Sequence, residues 1–260
     1  MTGDTMQATS WQETVVLPVG RSDDEDAGVL RELALRKMTG NEEALLVDPK
    51  LRANGGKLVT ALLASCARDE GGGRVAPARI RALASADRNF LLLELRRLTF
   101  GDEMHARYTC PRCQQVTAVV EDLATIDVRR IDEDFDFEVT VELVDGYRDP
   151  DGEIQRELVF GLPTGADEEA AGALRDANPA RQRDVLLARC LLRVGELEPR
   201  RMRALGPRVL AELSMSDRRL IQAALDAAAP GPDLTRSVVC DHCLEEFRAA
   251  LDMSHFFPIG

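Results

Sequence analysis

Two cysteine pairs, Cys110-Pro111-Arg112-Cys113 and Cys240-Asp241-His242-Cys243, are the residues in this chain best suited to chemistry, and they hold four of its six cysteines. Two thiolates separated by two residues sit on a tight turn that points both sulfurs at one ion. Two such turns complete a tetrahedral four-cysteine site. Cys110, Cys113, Cys240 and Cys243 are therefore expected to hold one structural Zn2+ per chain. Four thiolates fill the coordination sphere and leave no position for an activated water, so catalysis by that metal is not expected.

The remaining reactive side chains have plainer readings. His242 lies inside the second knuckle and could replace a cysteine, although donating to a sulfur or facing solvent suits its place better. His105 and His255 are isolated, with no HExxH or serine-centred motif around them. A CxxC can be redox-active, yet Cys110 follows strand-like residues and lacks the helix N-terminus that lowers a catalytic thiol's pKa. Cys66 and Cys190 fall on apolar helix faces, where cysteine acts as a small buried hydrophobe. Gly71-Gly72-Gly73 lacks the Lys and Ser/Thr of a phosphate loop. No enzyme is expected.

The chain's 260 residues suffice for a sizeable core, so zinc acts as a staple and not as the sole source of stability. A net charge of −12 argues against general affinity for DNA or RNA, which needs clustered Lys and Arg. At 4% aromatic residues there is no stacking platform for single strands. No apolar stretch is long enough to span a bilayer, and the polar start, Met1 to Gln12, lacks a signal-peptide layout. The expected location is the cytosol. Paired cysteines in a reducing compartment point to metal before disulfides.

The elements that must position the knuckles occur twice. With Cys110 set on Cys240, Asp87-Arg88 falls on Asp217-Arg218, each aspartate 23 residues before its cysteine. Further back, at slightly smaller shifts, Leu62-Leu63-Ala64-Ser65-Cys66 matches Leu186-Leu187-Ala188-Arg189-Cys190, and Thr39-Gly40 matches Thr164-Gly165. The fold class expected is α+β with an internal duplication. Each copy has a β-hairpin, a helical bundle and a knuckle hairpin, and the copies pack about a pseudo-twofold axis. The boundaries are a mobile N-terminus over 1–10, repeats over 11–125 and 137–260, and an acidic linker over 126–136.

Within the first repeat, residues 13–19 and 29–37 alternate as half-buried strands around an acidic turn. Thr39 and Glu42 have capping-box spacing. A helix follows, kinked at Pro49 and ended by Gly55-Gly56, then helices over 57–68 and 77–84, and one over 89–98 capped by Asp87. Strands over 104–109 and 116–121 flank the first knuckle. The second repeat's helices are expected at 179–194, 200–213 and 217–228. Duplication accounts for the 126 residues between Cys113 and Cys240: each copy carries half a site, and the halves meet. The alternatives are half-sites completed across a homodimer, or knuckles without metal.

Leu35-Arg36-Lys37-Met38-Thr39-Gly40-Asn41-Glu42-Glu43, Asp87-Arg88 with Phe90-Leu91-Leu92-Leu93, and Leu98-Thr99-Phe100-Gly101-Asp102 leading to Tyr108-Thr109-Cys110-Pro111-Arg112-Cys113 together resemble the T4-type phage baseplate hub assembly proteins. That family is found with contractile phage tails and phage-tail-like injection systems. The likeness is best over residues 15–125 and more diffuse beyond. It implies a non-enzymatic assembly factor or structural component that binds baseplate, hub or spike proteins. The alternative from another class is a cytosolic zinc-ribbon adaptor in a transcription or nucleic-acid process.

Overall fold

A computed structural model describes residues 13–20, 30–69, 71–131, 137–174, 178–251 and 256–257. Strands β1 (Glu13–Val16) and β2 (Glu32–Leu35) pair antiparallel, as their alternation predicts. The acidic turn between them and residues 1–10 lie outside the described residues. Thr39 caps α1 (Gly40–Val47) with the expected capping box, in which Glu42 accepts from the Thr39 N–H at 2.8 Å. After α2 (Pro49–Arg52), Gly55-Gly56 opens a helix where the sequence suggested an end. The Asn54 side chain accepts from the Lys57 N–H and starts α3 (Gly55–Cys66).

Next come β3 (Ala67–Arg68), α4 (Pro77–Ala82) and α5 (Ser85–Phe100). Asp87 is not the cap of α5, which begins two residues before it. Its buried carboxylate instead accepts from the Val19 and Gly20 N–H groups at 2.7 and 3.0 Å. Burial pushes this carboxyl up to about 6, against the opposing pull of those donors and Arg130. The first knuckle hairpin is β4 (Glu103–Thr109) and β5 (Val116–Asp122), followed by a 3-10 turn, Leu123–Thr125, and β6 (Val128–Arg129).

The rest of the chain forms β7 (Val139–Arg148), β8 (Ile154–Phe160), α6 (Gly165–Gly172), α7 (Pro179–Cys190), β9 (Leu191–Val194), α8 (Pro199–Leu205), α9 (Arg208–Ala211) and α10 (Met215–Ala228). β10 (Gly231–Pro232) leads to the second knuckle hairpin, β11 (Thr235–Val239) and β12 (Glu246–Ala250). The helix expected over 179–194 stops at Cys190, because Leu191–Val194 adds to the edge of β8 as a strand. The helix expected over 200–213 breaks at Gly206-Pro207, where Gly206 takes φ +52° and proline cannot continue the ladder.

Matching residues occupy matching geometry in the two halves. Each has a three-stranded antiparallel sheet in chain order, β1-β2-β3 and β7-β8-β9, with Leu35 opposite Ala67 and Phe160 opposite Leu191. The carbonyl of each helix-ending cysteine accepts from the backbone three residues before the capping threonine: Arg36 N–H to Cys66 O, and Gly161 N–H to Cys190 O. Asp217 accepts from Val144, Asp145 and Gly146 as Asp87 does from Val19 and Gly20. Arg88 donates to Ile80 O and to Thr60 Oγ1; Arg218 donates to Leu210 O and to Asp184. Both arginines thus reach a carbonyl eight residues back and a side chain six residues before the helix-ending cysteine.

Each half buries its own apolar cluster, around Leu33, Leu63 and Leu91 in the first and around Leu158, Val194 and Ile221 in the second. The halves are joined through α6, which packs on α3 as well as on its own α7. Asn54 Nδ2 donates to Glu169 O, and Thr60 Oγ1 to Glu169 Oε1, at 2.8 and 2.7 Å. This helical contact is one-sided: among the described residues α1 makes no comparable contact with α7, so no twofold axis runs through it. A Cβ on Gly56 would lie 2.7 Å from Glu169 N, backbone against backbone. Gly56→Ala is therefore expected to cost about 1–3 kcal/mol as overpacking, measured by urea denaturation. An unchanged midpoint would contradict the close approach of α3 and α6.

Glu42 is a heavily satisfied carboxylate, only 1% exposed and bonded to Arg36, Ser65 and Thr39. Burial alone would raise its pKa; these donors outweigh it and hold the carboxyl at about 2, below its ordinary 4.5. A folded-state pKa that is depressed gives stability fully present above about pH 4.5 and lost as the pH falls toward 2. Glu42→Gln is expected to destabilise most above that window, with its difference from wild type shrinking through it. A pH-independent difference would refute this account.

Candidate metal centre

The two knuckles fold alike because their turns close alike. The Cys110 N–H donates to Gln115 O and the Gln114 N–H to Cys110 O, each at 2.9 Å. The Cys240 N–H donates to Glu245 O at 2.9 Å and the Leu244 N–H to Cys240 O at 3.0 Å. Gln114 and Leu244 both take φ +60°. Neither is glycine, so each turn holds its residue in a left-handed conformation that costs about 1–2 kcal/mol.

Several contacts bring the second knuckle to the first. Arg96 ties the end of α5 to the start of β4 by donating to Gly101 O and Glu103 O, both at 2.8 Å. β6 pairs with β10, and the Asp233 N–H donates to Asp127 O at 2.8 Å. The opening of the segment read as an acidic linker is thus fastened to the strand that feeds the second hairpin, while 132–136 lie outside the described residues. Between the hairpins lies a third apolar cluster, including Leu93, Met104, Tyr108, Val238, Leu251 and Phe256.

Polar contacts complete the hairpin seam. Glu121 is buried between the hairpins, accepting from Tyr108 Oη at 2.8 Å and from Arg236 Nε at 3.0 Å. Burial, with Glu121 beside it, pushes the Tyr108 phenol up. Thr117 Oγ1 accepts from the Asp241 N–H at 3.2 Å. Sequence reasoning missed Thr117 and Glu121. The signal was present: both stand at inward positions of β5, where alternation calls for apolar residues.

All four knuckle cysteines meet. Their Sγ atoms lie within 4.8 Å of one another, with Cys110 and Cys243 at 3.7 Å and Cys113 and Cys240 at 3.6 Å. Four sulfurs about 2.3 Å from a tetrahedral zinc stand about 3.8 Å apart, so the donor set fits that ion. Each short distance joins one knuckle to the other. Cys110 and Cys240 are fully buried. His242 is exposed, and its backbone N–H, not its ring, donates to Cys240 Sγ at 3.4 Å.

Burial pushes the Cys240 thiol up, but N–H groups of His242 and Cys243 outweigh it and hold it at about 6, whereas Cys243 stands at about 12. Away from the centre, burial raises Cys66 and Cys190 to about 12, as befits packed, unreactive thiols. His105 lies on β4, exposed and far in sequence from any other histidine, and His255 lies outside the described residues.

Fold and centre together define a mixed helix-and-sheet protein with several small antiparallel sheets, in which the four cysteines of two distant knuckles could bind one metal ion. A family model described as the T4 bacteriophage base plate protein matches residues 13–258, and the chain belongs to that family. The match runs through both knuckles, well beyond the stretch where the sequence likeness is easiest to see. No curated protein and no solved structure matches the chain. Among the described residues, no helix is long and apolar enough to cross a membrane.

Proposed function

We propose that the chain is a non-enzymatic assembly factor, or a structural component, of the baseplate or hub of a contractile phage-tail-like injection system. It consists of two repeats, over 11–125 and 137–260, stapled by one structural zinc on Cys110, Cys113, Cys240 and Cys243. The observation that carries this reading is the meeting of four sulfurs from two distant knuckles of a base plate family chain, at the spacing of a closed tetrahedral site. A closed site stabilises shape and offers no open position to a substrate. The repeat reading is supported by the matched sheet register, cysteine carbonyls, aspartates and arginines of the two halves.

The partners are baseplate, hub or spike proteins, met in the infected or producing cell or in the particle. Nucleic acid is disfavoured as a partner: beside the knuckles, Arg112 is taken up by Glu245 and Arg236 by Glu121. The test is affinity purification of the full chain from cells producing the particle. Recovery of hub or spike proteins is expected. Exclusive recovery of RNA polymerase or DNA would overturn the proposal in favour of a zinc-ribbon adaptor.

A further inference from the structure

The two halves differ at one telling place. In the first, the start of α5 is covered by the turn that opens α6. The Ser85 N–H donates to Pro163 O at 2.8 Å, the Gly165 N–H donates to Leu83 O at 3.0 Å, and Glu168 pairs with Arg88 at 3.0 Å. Gly165 is buried there, and a Cβ on it would strike Arg88 and stand 2.8 Å from Arg81 O. In the second half the matching start of α10 is uncovered. Met215, in the place of the buried Ser85, is 69% exposed. Arg218 keeps 20% of its side chain exposed where Arg88 has none. A cavity of about 260 Å³ opens at this point, lined by Arg183, Leu187, Leu210, Met215, Arg218 and Ile221.

The segment that matches the α6 turn is the turn that opens α1. Thr39, Gly40 and Glu43 stand where Thr164, Gly165 and Glu168 do. Gly40 and Glu43 are exposed, and a Cβ on Gly40 would touch nothing within 4 Å. Neither φ nor packing within one chain calls for glycine at position 40, where alanine would favour the helix. Burial against an arginine, as at Gly165, would call for it. The charges also complement one another, with Glu43 on the turn and Arg183 and Arg219 beside the cavity, where Arg218 is already paired with Asp184.

We propose that the chain associates with itself head to tail, the α1 turn of one copy seating in the Arg218 cavity of a second. The inference rests on the equivalence of the two halves and is independent of the metal. Donor and receptor are different surfaces, so the contact is heterologous and either closes a ring or propagates. It is weaker than its internal counterpart, and therefore concentration-dependent. Gly56 and Gly172, which let α3 and α6 approach closely, are matched by Ala180 and Val47, whose side chains hold the body of the helix farther off.

Sedimentation velocity of the full chain across a concentration series tests this. Wild type is expected to grow beyond the monomer as concentration rises. Gly40→Trp, which blocks the donor turn, and Met215→Trp, which blocks the cavity, are each expected to stay monomeric with unchanged melting temperature, since both positions are exposed. An equimolar mixture of the two should form a one-to-one heterodimer and nothing larger, because only one donor and one receptor remain intact. A monomeric wild type, an associating Gly40→Trp or a mixture that stays monomeric would each overturn the proposal. Gly165→Ala separates this from failure of the repeat equivalence. A lowered melting temperature beside a monomeric wild type rejects the self-association alone, whereas an unchanged one rejects the equivalence.

Discussion

Cys110→Ser is expected to release the metal, and Cys240→Ser is expected to do the same to the same extent, although the two residues lie 130 positions apart in the chain. Each short sulfur distance spans the two knuckles, so removal of either residue opens one shared centre. Structural zinc sites contribute on the order of 10 kcal/mol of apparent binding free energy, more than any other contact at this seam. The bridging ion pair, Arg112 with Glu245, is largely exposed and adds little. The apolar cluster between the hairpins remains without metal, so the expected outcome is a lower melting temperature and easier proteolysis at the knuckles, not loss of the helical halves. Elemental analysis of protein purified without chelator should find about one zinc per chain. Absence of zinc there, or release from only one of the two variants, would reject the shared site.

Arg88→Met is expected to be the most damaging single change away from the knuckles. The Arg88 side chain is fully buried and bonds Gly56 O at 2.8 Å, Ile80 O at 3.2 Å, Thr60 Oγ1 at 3.0 Å and Glu168 at 3.0 Å. It therefore holds α3, α4 and α6 to α5, and so joins the two halves. Methionine fills much of the volume but leaves Glu168 without its cation and Gly56 O and Ile80 O with only their local donors, Thr60 Oγ1 and the Leu83 N–H. Breaking a buried charge network in this way costs about 3–5 kcal/mol, a fall of roughly 10 °C in melting temperature for a chain of this size. Arg218→Met, with fewer partners and a partly exposed side chain, is expected to cost clearly less. Equal losses would mean that the link to α6 contributes nothing, which thermal denaturation monitored by circular dichroism can decide.

Local features were the most legible in the chain. Thr39 and Glu42 form the capping box that their spacing suggests, and the strands beside Cys110 and Cys113 match their alternation to within a residue. These depend on near neighbours, whose geometry the spacing sets. Expectations failed where a distant partner outweighed the local preference. Gly55-Gly56 begins a helix because Asn54 caps it and α6 needs a bare backbone at Gly56. Asp87 serves the loop after β1 instead of its own helix. Leu191–Val194 leaves the helical pattern because β8 offers it an edge.

Residue types and spacings alone determined the two knuckles and the recurring Asp-Arg and cysteine positions. Tertiary structure decided that the half-sites meet within one chain, that Thr117 and Glu121 line the seam between the hairpins, and that α6 rests on α3 without a counterpart. The physical reason is the reach of each interaction. A turn or cap is closed by atoms a few bonds apart. Whether Cys110 faces Cys243 depends on β6 pairing with β10 and on a shared apolar cluster, contacts between residues more than a hundred positions apart.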